Sequence, residues 1–369
     1  MSPVEATPLA VAQALVGRAL RARRGEHVAI LTWTHTLPWA TACVTEARRV
    51  GARPFLLVED ESAFWRSVDV APATRRWAGL APPIASALSR ADALLYFPGP
   101  ADRPRLHALP PTQLAPFLGT DDEWQRRARR ARIRGIRCLL GFASDPQAEH
   151  WGVPGAMWRS QLIRAITEPD YAAIARAGER VARLLAEGRE LRLTAANGTD
   201  LTLRLRGRRP WVDDGVVDAA DRRRGRMTAT SPPGSVVVAV EEGSATGTVV
   251  ANRPSFLPSG RVGGAQWEVD RGRLRNYWYT EGSETFEAEF AAAPRGREVV
   301  SLFAVGLNGA LAPGVPQAED EEGGTATVAI GGNTLYGGRL RCRYLSWITV
   351  GEATIAVDGH PLADRGKIL

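Results

Sequence analysis

Lysine is almost missing from this chain: Lys367 is the only one among 47 basic residues, and the others are arginine. The net charge of +7 is therefore carried by guanidinium groups, which stay protonated at any physiological pH. Arginine taken so consistently over lysine is what a GC-rich coding sequence produces. That origin weakens the nucleic-acid reading a basic chain otherwise invites. The densest run, QRRARRARIRGIR at 125–137, carries Trp124, Ile133 and Ile136 at near-helical spacing, which predicts a surface helix with its arginines in solvent. Nucleic acid is thus not an expected partner, whereas an acidic one is compatible with the charge. Cysteine is scarce as well. Cys43, Cys138 and Cys342 show no CxxC or Cys/His spacing, which argues against a disulfide framework and a zinc knuckle and leaves them as small buried apolar residues. No apolar run approaches the roughly 20 residues that span a bilayer. Met1–Ala14 lacks the basic start and continuous apolar core of a signal peptide. A cytoplasmic protein with no membrane partner is expected. No GxGxxG and no phosphate loop follows any strand-like run, so no nucleotide site is assigned.

What is present fits two domains. A chain of 369 residues, 44% hydrophobic and 24% charged, buries a core in each of two ordinary domains. Pro8–Leu20 places Val11, Leu15, Ala19 and Leu20 at helical spacing, Gly25 punctuates, and His27–Leu31 reads as a buried strand. Pro38–Val50 then Arg53–Val58 repeats the unit, and Ala91–Phe97 and Gly135–Gly141 supply two further strands. Helix and apolar strand in alternation predict an α/β domain with a mainly parallel sheet. Thr167-Glu168-Pro169 has the chemistry of a helix start, with Ile174, Val181, Leu184 and Leu185 along one stripe and Gly188 as the stop. Beyond it the period changes from 3.6 to 2. Glu190–Thr194 and Asp200–Arg206 flank Ala196-Asn197-Gly198, a hairpin signature. Ser235–Val240, Gly247–Ala251, Ala265–Val269, Arg273–Tyr277, Glu298–Leu302, Thr325–Ile330 and Thr354–Val357 follow as strands. The expected division is an α/β domain over 1–187 and an α+β domain rich in antiparallel strands over 188–369.

One stretch is specific enough to compare with a family. In TSPPGSVVVAVEEGSATGTVVANR, Thr230–Arg253, a Pro-Pro-Gly turn feeds an apolar strand and then a Ser-x-x-Gly-Thr-Val strand. This resembles the opening of the metal-binding domain in the M29 aminopeptidases, a family of thermophilic aminopeptidases with relatives among iron-dependent dihydroxypyridine dioxygenases. Further punctuation resembles the family in order. Arg23-Arg24-Gly25-Glu26-His27-Val28 leads into the first strand, and Asn197-Gly198-Thr199-Asp200-Leu201 makes the hairpin. Gly306-Leu307-Asn308, Gly331-Gly332-Asn333 with Gly337-Gly338, and Val357-Asp358-Gly359 come later. The resemblance covers most of the chain and implies the family's fold.

It also implies where a metal cluster belongs, and there the chain departs from the family. The family's ligands are two glutamates, two histidines, an aspartate and a tyrosine. Matched one by one, the first glutamate falls on Ser235, and the second, four residues before the glycine of Gly-x-Asn, on Leu302. The first histidine falls on Thr327, and the closing His-x-Asp pair, counted from Gly337-Gly338, on Leu345 and Trp347. The tyrosine is nearest Thr334 by count and Tyr336 by chemistry. None of Ser, Leu, Thr, Leu and Trp replaces a carboxylate or imidazole as a tight ligand for a divalent cation. The five histidines, His27, His35, His107, His150 and His360, lie elsewhere. No metal, no cofactor and no catalytic residue is expected.

Other chemistry is weakly marked. Ser235 is not in a GxSxG elbow and reads as a strand-entry hydroxyl. The acids Glu241-Glu242 and Glu319-Asp320-Glu321-Glu322 precede glycines, and they read as solvated loop charge rather than acid/base groups. Tryptophan is plentiful, eleven in all, with Trp124, Trp151, Trp158, Trp211, Trp278 and Trp347 at presumed loop ends or strand edges, where such rings anchor recognition. The expectation is a non-catalytic peptide-binding protein on this scaffold, presenting a precursor peptide in the biosynthesis of a modified-peptide natural product. Its cleft would be lined by Ser235, Leu302, Thr327, Tyr336, Leu345 and Trp347, with Arg339, Arg341 and Arg343 as a charged rim. The alternatives are an active metal-dependent aminopeptidase or ring-cleaving dioxygenase using other ligands, and a structural subunit paired with an active homologue. Homodimerisation is what the resemblance implies.

Overall fold

The computed structural model describes residues 8–70, 81–110, 112–114, 130–205 and 207–369. The chain forms two compact units: Met1–Glu168 with Gly215–Pro232, and Pro169–Asp214 with Pro233–Leu369. The boundary thus lies at Glu168/Pro169 rather than 187/188, and the segment Gly215–Pro232 returns to the first unit. Thr167 does not cap the following helix. Its hydroxyl donates to the Ile163 carbonyl at the end of the helix Gly155–Thr167, while the Asp170 carboxylate caps Tyr171–Glu187 through the Ala172 amide, 2.9 Å away.

The first unit is a parallel sheet with helices. Its strands run in the order Arg53–Glu59, His27–Trp33, Ala93–Tyr96, Arg134–Cys138, Thr228–Ser231, each pair parallel. Val28, Ala29, Ile30, Leu94, Leu95 and Ile136 are buried, which accounts for the unbroken apolar runs, since a strand covered on both faces has no solvent side to alternate with. The helix Leu37–Arg49 has a proline in its first turn, and Gly51, at φ +82°, reverses the chain beyond it. Helix is not continuous to Arg137 in the arginine-rich run. Gln125–Arg129 and Trp124 lie outside the described residues, but Arg134–Cys138 is an interior strand with Ile133 and Ile136 buried. Hydrogen bonding to a strand on either side outweighs the local helical spacing there. After Cys138 the backbone tightens into a 3₁₀ turn, Leu139–Phe142.

The second unit is antiparallel throughout its two large sheets. Eight strands follow the order Arg273–Trp278, Gln266–Asp270, Thr246–Val250, Asp200–Arg204, Glu190–Thr194, Thr354–Val357, His360–Asp364, Lys367–Ile368. Five more follow the order Leu345–Gly351, Thr325–Gly331, Val300–Gly306, Ser235–Ala239, Trp211–Asp213. One core joins them: Leu191, Leu193, Leu201, Leu203, Val249 and Trp267 from the larger sheet meet Val236, Val238, Phe303, Val305, Val328 and Ile348 from the smaller. The fold class is therefore an α/β unit with a parallel sheet and a second unit built mainly of antiparallel strands.

The punctuation motifs hold this second unit together. Asn308, fully buried, donates through Nδ2 to the Pro233 carbonyl at 2.8 Å and accepts from the Ala310 amide at 3.0 Å. The Leu307 amide donates to the Gly234 carbonyl at 2.7 Å. The Pro-Pro-Gly turn and the Gly-Leu-Asn step are thus one joint. Gly234 sits at φ +131°, and a Cβ there would come within 2.7 Å of Asn308, so no larger residue fits. Asp358 accepts the Arg189 and Glu190 amides, and Asn197 braces its hairpin through Thr199 and the Val250 carbonyl. No helix among the described residues is long and apolar enough to cross a membrane.

Candidate functional site

The smaller sheet of the second unit brings the sequence-predicted residues together. Its register sets Asp213 beside Ser235 and Ser235 beside Gly306. A second row runs Trp211, Val237, Ala304, Thr327, Thr349, and a third runs Ala239, Leu302, Ala329, Trp347. Leu345 pairs with Gly331 two residues before Trp347. Because side chains alternate with a period of two, all of these project from one face. Ser235, Leu302, Thr327, Leu345 and Trp347, which lie far apart in sequence, are therefore neighbours on a single surface of the sheet. Tyr336, from the short 3₁₀ turn Thr334–Tyr336, packs against the same patch together with Trp347.

This surface is less open than the expected cleft. Ser235, Leu302 and Thr327 are buried, Trp347 and Tyr336 are half-buried, and only Leu345, at 40% relative exposure, is freely exposed. The buried part is apolar, made of Val237, Ala239, Leu302, Ala304 and Ala329. The Thr327 and Thr349 hydroxyls bond each other at 2.9 Å, so neither is left waiting for a ligand. A divalent cation takes carboxylates, imidazoles or carbonyl oxygens. The residues at these positions do not fit one, and among the described residues no group of three or more His, Cys, Asp or Glu side chains is arranged to hold a metal.

The acidic run Glu319–Glu322 is not solvated loop charge. Glu319, Glu321 and Glu322 are buried, with Glu319 only 1% exposed. Main-chain bonds pull the segment in: the Asn308 amide donates to the Glu321 carbonyl, and the Thr325 hydroxyl donates to those of Glu319 and Glu322. Glu322 is neutralised by Arg253 and accepts the Gly314 amide at 2.9 Å. Glu319 is different. Neither of its oxygens, nor Glu321 Oε2, has a hydrogen-bond partner among the described residues. Burial pushes the Glu319 carboxyl up to about 8, with Asp320 adding to the shift. Nearby main-chain N–H groups and the Trp347 indole oppose it, although the indole Nε1 does not reach hydrogen-bond geometry. Burial likewise raises Glu321 well above the carboxylate range, reinforced by Asp320 and Asp213. Glu319 is thus neutral at pH 7.

Glu242, also read as solvated, is held in place. Burial acts to raise its pKa, but the Arg339 amide, the Asn333 side chain and the Arg208 guanidinium hold it below the usual carboxylate range. This wall borders an open recess of about 780 Å³ lined by Arg208, Arg209, Tyr336 and Arg339 among others. A second, of about 660 Å³, adjoins it at Arg339 and includes Thr334, Gly338 and Arg341. Of the expected rim, Arg339 and Arg341 line these recesses, while Arg343 is exposed but lines neither. Arg208, Arg209 and Glu242 were outside the expected site. The Glu-Glu pair preceding Gly243 was their only sequence signal.

The whole chain is similar to two solved structures. AmpT from Thermus thermophilus superposes with a TM-score of 0.70 at 19% identity, covering 98% of this chain and 99% of that one. A 2,5-dihydroxypyridine dioxygenase from Pseudomonas putida KT2440 superposes with a TM-score of 0.67 at 16% identity, covering 100% of this chain and 98% of that one. No protein-family model matches the chain, and no curated protein sequence matches it. The chain therefore has an M29-like fold. At these identities the likeness is one of fold alone.

Proposed function

We propose that this chain is a non-catalytic peptide-binding protein on an aminopeptidase-like scaffold. The observation that carries the reading is a contrast within one unit. The residues bracing the fold, Asn308, Gly234, Asn333 and Asp358, are held by hydrogen bonds or close packing. The residues gathered on the sheet face are Ser, Leu, Thr, Leu and Trp. What this face offers is apolar surface at Leu345, Trp347 and Tyr336, bordered by arginine. A peptide with aromatic or aliphatic side chains suits it, since a buried aromatic anchor offsets the entropy of ordering an extended chain. The ligand in this reading is a precursor peptide presented to a tailoring enzyme, and the protein acts in the cytoplasm as a homodimer.

Three measurements test it. Purified protein is expected to hold less than about a tenth of an equivalent of zinc, cobalt, manganese or iron, since strong binding requires ligands this face lacks. Aminoacyl chromogenic substrates are expected to turn over at the background rate, and turnover abolished by EDTA would return the chain to the active peptidases. Calorimetry with apolar and aromatic peptides is expected to give micromolar binding, weakened by about 1–3 kcal/mol in Trp347→Ala. If no peptide binds, the structural-subunit reading replaces this one.

A further inference from the structure

The arginine-lined recesses have a defined construction. Asn333, almost fully buried, accepts the Tyr336 and Gly338 amides at its main-chain oxygen and the Leu340 amide at Oδ1. Its Nδ2 donates to Glu242 at 2.8 Å. Gly337, at φ +81°, turns the chain so that Arg339 returns over Glu242, whose carboxylate accepts the Arg339 amide at 2.9 Å. Arg208 completes the wall, pairing with Glu242 and donating to the Gly337 carbonyl at 3.1 Å. The charge of Glu242 is thus spent inside the wall. The guanidinium groups of Arg209, Arg339 and Arg341 make no ion pair among the described residues. Arg339 belongs to both recesses, so two anionic groups side by side would each meet two cations. Tyr336 stands in the same wall, its ring fixed edge-on against Trp211 at 5.6 Å.

From this geometry we infer that the recesses recognise carboxylate side chains, and that the ligand is an acidic peptide segment. Its carboxylates lie among Arg209, Arg339 and Arg341, and an apolar or aromatic neighbour lies against Tyr336. The inference rests on the peptide-binding reading and adds the chemical class of the peptide. Arginine pairs with carboxylate in a forked, charge-assisted geometry, and a preset aromatic wall holds the adjoining residue at low entropy cost. A nucleic-acid strand fits less well, because the three guanidinium groups free of ion pairs among the described residues are too few to follow a long run of phosphates.

The test uses the full chain and three labelled probes: a short peptide containing tryptophan and glutamates, its counterpart with every glutamate replaced by glutamine, and an oligouridylate of matching length. The acidic peptide is expected to bind about tenfold or more tighter than its glutamine counterpart, with an advantage that shrinks as salt is raised. Arg339→Ala combined with Arg341→Ala should bring the acidic peptide down to the affinity of the glutamine form. Both side chains are exposed, so circular dichroism should be unchanged. Arg339→Lys should keep part of the preference through charge without the forked geometry. Equal affinity of the two peptides would overturn this inference and leave the proposed function standing. Binding of neither peptide would remove both. Tighter binding of the oligouridylate, lost in the same double variant, would show that the recesses read phosphate instead.

Discussion

A buried carboxyl that stays protonated at neutral pH makes stability depend on pH in a predictable sense. Glu319 ionises near 4.5 when the chain is unfolded and at about 8 when folded. Between those values the unfolded state binds fewer protons, so raising the pH favours unfolding. The stability this group contributes is fully present below pH 4.5 and is lost by about pH 8. The span is worth about 4 kcal/mol, of which about 2 kcal/mol falls between pH 6 and 8. Glu319→Gln keeps the shape and cannot ionise. Whatever fixed offset the amide introduces, the stability of the variant relative to the parent should rise by about 2 kcal/mol from pH 6 to pH 8. Hydrogen exchange during urea unfolding, read on peptides from Val300–Gly331, reports the second unit alone. Asp320 and Glu321 are present in both proteins, so their own titration largely cancels in the comparison. If parent and variant lose stability in parallel over this range, Glu319 is already ionised at neutral pH, and the account of the acidic segment fails.

Two further outcomes bear on the scaffold. Asn308→Ala leaves the Pro233 carbonyl and the Ala310 amide without their bonds in a buried site, and should cost about 2–4 kcal/mol by denaturant unfolding; a loss below about 1 kcal/mol would mean that water replaces the side chain. Gly247→Ala sets a Cβ 2.1 Å from the Asp200 carbonyl at φ +131°, whereas at Gly198, φ +96°, the same atom meets nothing within 4 Å. The first substitution should cost about 3 kcal/mol or more and the second about 1 kcal/mol, and equal costs would refute the packing argument for Gly247.

The class of fold was legible in the amino-acid sequence because it is written in local features. Apolar runs after helical stripes, as at His27–Trp33 and Arg53–Glu59, mark a parallel sheet, and the change to alternation at Glu190 marks antiparallel strands. The turn residues were partly legible, since Gly234 takes φ +131° and the Asn308 and Asn333 side chains accept amides two and seven residues on, although Asn308 also reaches Pro233 across 75 residues. That Ser235, Leu302, Thr327, Leu345 and Trp347 would share a site came from motif spacing, and the strand register then put them on one face. The tertiary structure decided the rest. Thr228–Ser231 is too short to announce itself as a fifth parallel strand, and only its pairing with Arg134–Cys138 defines it. Four acids before two glycines look like a solvated turn, because composition reports the preference of side chains for water. Their burial was settled by the main chain, through bonds from Asn308 and Thr325 that fix the segment whatever its side chains prefer. Arg208 joins Glu242 and Gly337 across sequence separations of 34 and 129 residues. No local pattern encodes a contact of that kind, which exists only once both sheets have formed.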